Sequence, residues 1–202
     1  LEKRKIIMHT RLPTIELQYK FLEKLYTRSD IFEHLSILAL MSSKVDSITE
    51  FGVRKIVSTW AFLYGCPKKM VSMDLVNPSV HGQNIEEVYK LATENGIDYK
   101  FVQGSTLEND IEETDLLFID TYHEYNQLKN ELSKHGNKAK KYLVFHDTEL
   151  FGKHGQDFDT DALNTNLGGL NQAIDEFIAK NPHWIKKFTY PFSSGLTILE
   201  RQ

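Results

Sequence analysis

The sequence predicts an α/β fold: a doubly wound, mostly parallel seven-stranded sheet of Rossmann-like type, with an antiparallel final strand and helices at its amino-terminal end. Three observations carry that expectation. Short apolar runs without alternation, of which LLFI at 116–119 is the clearest, are what a parallel sheet buries on both faces. These runs alternate along the chain with stretches of helical periodicity, the pattern of βαβ units. The last two strand candidates, 184–190 and 195–200, are joined only by PFSS, which is too short for a crossover and leaves an antiparallel pair.

The composition, 41% hydrophobic and 26% charged over 202 residues, is that of one ordinary domain spanning 1–202, with 1–44 as a helical cover and 45–202 as the α/β core. A formal charge of -4 gives no signal for nucleic acid or an anionic membrane as partner. Cys66 is the only cysteine, which excludes an intrachain disulfide or a thiolate zinc cage and fits a reducing, cytoplasmic setting. No apolar stretch approaches the ~20 residues needed to span a bilayer, and LEKRKIIMH lacks the long apolar core of a signal peptide. A homo-oligomer is compatible with the sequence, which does not specify one.

In chain order, residues 12–44 read as two helices. Ile15, Leu22, Leu25 and Tyr26 fall near one face of the first, and Asp30 with Glu33 forms a capping box for the second. The first strand, 47–51, turns at Gly52 into a helix that stops near Gly65 and Pro67. Gly52 is a point where a ligand can approach the backbone, because no Cβ stands in the way. The remaining glycines of a GxGxxG fingerprint are missing, which counts against a nicotinamide dinucleotide. The second strand, 69–76, carries Asp74, which lies 22 positions after Gly52, about the interval at which an acidic residue takes ribose hydroxyls in such folds. A helix with Ile85, Val88 and Leu91 inward stops at Asn95-Gly96, and the third strand, 99–103, is followed by Gly104 and Ser105.

The fourth strand, 116–120, opens onto Asp120 and His123, and the next helix carries Tyr125, Leu128 and Leu132 on one stripe. The fifth strand, 141–145, ends in His146-Asp147-Thr148. Right-handed crossovers bring Gly52, Asp74, Ser105 and Asp120 to one sheet edge; if strands four and five are neighbours, Asp120, His123, His146 and Asp147 converge there. Taken alone each of these is an ordinary turn residue, and Asp120 serves equally well as a helix cap. Residues 149–169 form a long glycine-bearing loop suited to a lid or specificity element, with His154 in reach of the site and an acidic patch at Asp157, Asp159 and Asp161. That patch lacks the glycine and the bidentate glutamate of a calcium loop. Leu170, Ala173, Ile174, Phe177 and Ile178 then mark an amphipathic helix stopped by Asn181-Pro182.

From residue 45 onward the chain resembles the class I S-adenosylmethionine-dependent methyltransferases. Within them EFGVRKIVSTWAFL, DLLFIDTYHEYNQLKNEL and YLVFHDT are similar to the branch of cephalosporin hydroxylase-like proteins and macrocin-type sugar O-methyltransferases. The resemblance implies S-adenosylmethionine as methyl donor and a hydroxylated small molecule or sugar as acceptor. It implies that Glu50 and Gly52 line the methionine end of the cofactor, Asp74 holds the ribose, and Gly104 with Ser105 lies by the adenine. It further implies that Asp120, in contact with the cofactor, joins His146 and Asp147 where metal-dependent relatives bind magnesium or manganese.

The departures are specific. Thr121-Tyr122 stands where relatives commonly have Gly-Asp, the turn after Gly52 is more basic, and His146 either points elsewhere or makes the site better suited to a softer transition metal than magnesium. Methyl transfer to oxygen needs an activated hydroxyl, and His123 is the expected base because an unperturbed imidazole titrates near ~6.5; Asp120 binds the metal or orients that ring. Two other readings stay open. A non-methylating enzyme such as a nicotinamide oxidoreductase is disfavoured by the lone Gly52, and a catalytically silent cofactor-fold protein is prompted by Thr121-Tyr122.

Overall fold

The computed structural model describes residues 12–156 and 168–202. Seven strands, β1 (Ser47–Phe51), β2 (Lys69–Asp74), β3 (Asp98–Gln103), β4 (Thr114–Ile119), β5 (Ala139–His146), β6 (Trp184–Tyr190) and β7 (Leu196–Arg201), form one sheet in the order β3-β2-β1-β4-β5-β7-β6. Every neighbouring pair from β3 to β5 is parallel, and β7 runs antiparallel to both β5 and β6. Among the described residues six α-helices, α1 (Ile15–Tyr26), α2 (Leu35–Ser42), α3 (Val57–Tyr64), α4 (Ile85–Glu94), α5 (Tyr125–His135) and α6 (Leu170–Lys180), accompany the sheet. Among the described residues no helix is long and apolar enough to cross a membrane.

The unbroken apolar runs are explained by burial on both faces. Along β4, Leu116 and Phe118 pack with Leu35, Leu38 and Phe62, while Leu117 and Ile119 pack with Leu128, Leu132 and Ile174. Each such side chain contributes roughly 1.5–3 kcal/mol by leaving water. Strand order reverses between β1 and β4, so the switch-point crevice of an open α/β sheet lies above those two strands.

Several boundaries and contacts differ from the expectation. In α1 the core side is Leu17 and Phe21, whereas Ile15 and Tyr26 are 80% and 83% exposed. The helix carries two apolar stripes, and the stacking of Phe21 on Tyr64 (ring centroids 4.2 Å apart) accompanies the docking of the shorter one. The Asp30/Glu33 capping box does not form: a short 3-10 turn at Phe32–His34 precedes α2, Asp30 pairs with Arg54, and Glu33 accepts a hydrogen bond from Ser193 Oγ. β4 ends at Ile119, with Asp120 just beyond it, and the cap position of α5 is Glu124. The acidic patch at Asp157, Asp159 and Asp161 lies outside the described residues.

Gly52, just beyond β1, lies against the backbone that follows β4. Its φ is +85°, and a Cβ there would sit 1.9 Å from the carbonyl oxygen of Asp120. Gly82, at φ +70°, has nothing within 4 Å of the place a Cβ would occupy and so isolates the cost of the backbone conformation alone. Urea denaturation should therefore show Gly82→Ala losing about 1 kcal/mol and Gly52→Ala losing at least ~3 kcal/mol, the excess being the collision at the switch point; equal losses would contradict this account.

Candidate functional site

The register Ile119↔Phe145 between β4 and β5 makes Asp120 and His146 neighbours at the strand ends. Asp147 follows in the left-handed region (φ +59°), which aspartate tolerates better than most residues. Its Oδ2 lies 2.7 Å from His123 Nε2 and 3.2 Å from His146 Nδ1. Asp120 Oδ1 lies 3.3 Å from the same His123 nitrogen and 3.4 Å from His146 Nδ1. The four residues that the sequence places on two separate strand ends thus form one cluster.

His123 is clamped on both nitrogens. Nδ1 donates to Gln156 Oε1 at 2.7 Å, and the ring stacks on Phe151 with centroids 4.9 Å apart and planes 7° from parallel. Burial by itself would lower its pKa, but hydrogen bonds to Asp120 and Asp147 and their charges outweigh burial and raise it to about 10. At neutral pH, with no cation beside it, His123 is an imidazolium. That corrects the reason for choosing it as base, which assumed an unperturbed ring.

His146 follows the same logic: burial lowers it, the two carboxylates raise it to about 10. Asp120 and Asp147 are disfavoured by burial yet held below the usual carboxylate range by the two histidines. The cluster therefore carries two imidazoliums against two carboxylates and is close to neutral.

The expected cofactor residues divide into those that line a cavity and those that support it. Gly52, Asp74, Gly104, Ser105 and Asp120 all border one cleft of 400 Å³, whose wall also includes Tyr122. Asp74 has its carboxylate partly engaged, since Oδ2 accepts from the amides of Val53 (2.7 Å) and Arg54 (2.9 Å). Glu50 lines neither this cleft nor its neighbour. It is fully buried and accepts hydrogen bonds from Ser58, Thr59 and Ser72, and burial raises its pKa to about 7 against the opposing pull of those hydroxyls. Its carboxyl is a strut under the turn that follows β1. A second cavity, of 370 Å³, meets the first at Gly52 and Asp120 and is lined by His123 and Asp147 on the sheet side and by residues 27–31 of the cover.

The roles of several site residues could not be read from the sequence. Thr121 gives its hydroxyl to Glu131, which also accepts from Thr106 and Gln127, so the unusual Thr121 is tied into a buried polar group beneath the cleft. His34, from the cover, is buried; its Nε2 donates to Phe192 O (2.8 Å) while the next carbonyl, Ser193 O, accepts from His146 Nε2 (3.0 Å). Burial and then the charge of His146 lower the pKa of His34. Phe151 and Gln156 come from the loop expected to border the site, and only the fold shows them closing on His123.

Asp120, His146 and Asp147 fit a divalent ion. Their ligand atoms all lie within 4.8 Å of one another. The bond from Nε2 to Ser193 O leaves Nδ1 of His146 buried and facing the carboxylates, 3.2 Å from Asp147 and 3.4 Å from Asp120. Two oxygens and one imidazole nitrogen favour a borderline ion such as manganese over magnesium.

No protein-family model matches the chain, and no curated protein is detectably similar to it. Its fold, however, is that of solved methyltransferases. A Podospora anserina methyltransferase, PaMTH1, bound to S-adenosylhomocysteine superposes with a TM-score of 0.60 at 16% identity, covering 94% of this chain and 88% of the other. An O-methyltransferase from Bacillus cereus, also with S-adenosylhomocysteine, gives 0.63 at 14% identity over 96% and 94%. TomG of Streptomyces achromogenes, an O-methyltransferase of tomaymycin synthesis with S-adenosylmethionine bound, gives 0.58 at 14% over 95% and 92%. At these identities the likeness establishes the Rossmann-like methyltransferase fold.

The electrostatics of the cluster set a pH dependence. His123 and His146 have folded pKa values of about 10, above the ordinary 6.5, so each binds its proton more tightly folded than unfolded. Their stabilisation is complete below pH ~6.5 and is lost as pH rises through ~10. Calorimetry of the metal-free protein should show the melting temperature falling between pH 7 and 10, with a shallower fall in His123→Gln; an unchanged slope would refute the ion-pair assignment.

Proposed function

We propose that this protein is an S-adenosylmethionine-dependent O-methyltransferase whose acceptor is a hydroxylated small molecule, sugars included. The observation that carries the reading is the pair of cavities meeting at Gly52 and Asp120: a cleft over the ends of β1, β2, β3 and β4, and beside it a chamber floored by the Asp/His cluster. The fold shared with methyltransferases solved with S-adenosylhomocysteine or S-adenosylmethionine supports the choice of cofactor. A nicotinamide cofactor is disfavoured by the single glycine of the first turn.

In this reading the nucleoside lies in the 400 Å³ cleft, with Gly104 and Ser105 by the base, Tyr122 on the wall and Asp74 at the ribose. The missing Cβ of Gly52 lets the donor pass over the switch point toward Asp120. Glu50 acts from below by holding Ser58 and Thr59 at the start of α3. Alignment of hydroxyl, methyl carbon and sulfur between two fixed cavities can supply roughly 7–11 kcal/mol of barrier reduction.

Asp120, His146 and Asp147 would hold the divalent ion, which when bound supplies Lewis-acid stabilisation of the developing alkoxide. His123 is the base. Its proton is held by Asp120 and Asp147, and when those carboxylates are engaged otherwise its pKa drops toward the range where it can accept the proton of an acceptor hydroxyl at Nε2. Gln156 and Phe151 keep the ring in place for that transfer.

Calorimetry with S-adenosylhomocysteine, with and without magnesium or manganese, tests the reading; absence of binding would remove it. With a working acceptor, His123→Ala should leave affinity for S-adenosylhomocysteine within about threefold while turnover falls by about 10²–10⁴-fold. Because His146 holds a proton at neutral pH, manganese binding at pH 7 should release protons, seen as a dependence of the measured heat on buffer ionisation, and His146→Ala should weaken manganese binding by more than about tenfold. Manganese heats independent of buffer would speak against His146 as a ligand.

A further inference from the structure

We infer that the acceptor carries an anionic group, a phosphate or a carboxylate, and that Arg28 and Lys55 hold it at the outer end of the 370 Å³ chamber. This rests on reading that chamber as the acceptor side of the site. Four lysine and arginine side chains, Lys24, Arg28, Arg54 and Lys55, line it in a protein whose formal charge is -4. Two of them are matched: Arg54 pairs with Asp30 at 3.1 Å, and Lys24 lies 3.7 Å from Glu23. Among the described residues Arg28 and Lys55 have no carboxylate within ion-pair distance. The carboxylates on the chamber floor, Asp120 and Asp147, lie within 3.4 Å of His123 and His146 and belong to the cluster already described. Arg28 and Lys55 are thus the lysine and arginine side chains of this lining that have no carboxylate partner among the described residues.

Their placement follows from the fold. Lys55 belongs to a turn in which Arg54 (φ +43°) and Ile56 (φ +58°) are both left-handed; Ile56 is buried and anchors the turn, while Arg54 and Lys55 stay exposed. Arg28 stands on the segment after α1 that forms part of the same chamber wall. Beside it Ser29 Oγ is buried without a hydrogen-bond partner among the described residues, so its hydroxyl is available to donate to an anion.

The donor does not need these two cations. No side chain caps the start of α3, and Val57 and Ser58 line the chamber, so in this reading the helix amides there serve the donor's carboxylate. What remains for Arg28 and Lys55 is an anion on the acceptor, and opposing cations of this kind select for charge and speed encounter.

The test uses the whole chain saturated with S-adenosylhomocysteine and matched probes: D-ribose 5-phosphate against D-ribose, and 3,4-dihydroxybenzoate against its methyl ester. At least one anionic probe should bind about tenfold tighter than its neutral partner, and which one does tells phosphate from carboxylate. In the double variant Arg28→Gln/Lys55→Gln that preference should shrink below about threefold while S-adenosylhomocysteine affinity stays within about twofold. The inference is overturned if neither anion is preferred, if the preference survives in the double variant, or if the double variant loses S-adenosylhomocysteine, which would assign the cations to the donor. Should the parent chain fail to bind S-adenosylhomocysteine, methyl transfer falls, and the same probe comparison without it still decides whether the chamber takes an anion.

Discussion

The lateral pairing of β4 with β5 is the constraint on which the rest of this protein depends. It sets Ile119 against Phe145, and with them the next residues on each strand, Asp120 and His146. Asp147 and His123 complete the group only because each strand stops there. Backbone hydrogen bonds between two strands buried on both faces are costly to break, since the freed amides would have no water to replace the lost partners. The ionisable cluster is thus fastened to the stiffest part of the fold.

That fastening explains how so much charge is tolerated where little solvent reaches. His146 and Asp147 are nearly fully buried, and His123 and Asp120 are mostly so, yet every charge has an opposite within 3.4 Å. Removing one member would leave an unpaired buried charge, which is far less favourable than the intact set. The turn at 192–194 adds a second tie. Its carbonyls hold His34 and His146 together, and Ser193 bonds to Glu33, so the helical cover, the β6–β7 connection and the cluster are one mechanical unit. Glu50 and Glu131 play the same part below the surface, each gathering several hydroxyls beneath a wall of the site.

Much of the fold was legible from the chain. Strands were legible at 47–51, at 69–76 (the strand itself ends at Asp74) and at 116–119, the last as a run buried on both faces, and the four-residue link PFSS left no topology but an antiparallel pair. Gly52 was legible as a turn residue without a Cβ, but the contact that demands it, with the carbonyl of Asp120, comes from a distant part of the chain. The face of α1 was not, because two apolar stripes compete along that helix and the choice rests on Phe21 meeting Tyr64, a residue far away in the chain. The Asp30/Glu33 cap misled for a similar reason: both carboxylates have distant partners, Arg54 and Ser193, that outweigh a local turn.

By itself, then, the sequence determined which residues end the strands, and so which chemical groups stand at the sheet edge: Asp74, Gly104, Ser105, Asp120, His123, His146 and Asp147. Local periodicity and turn chemistry suffice for that, because strand ends are set by short stretches of chain. Only the tertiary structure decided their states. The spacing of His123 from two carboxylates makes it an imidazolium, the bonds of Asp74 to Val53 and Arg54 occupy part of a side chain expected to be open to a ligand, and the depth of Glu50 turns it from a cavity residue into a strut. Charge state and exposure are sums over neighbours from distant parts of the chain, and those neighbours exist only once the chain has folded.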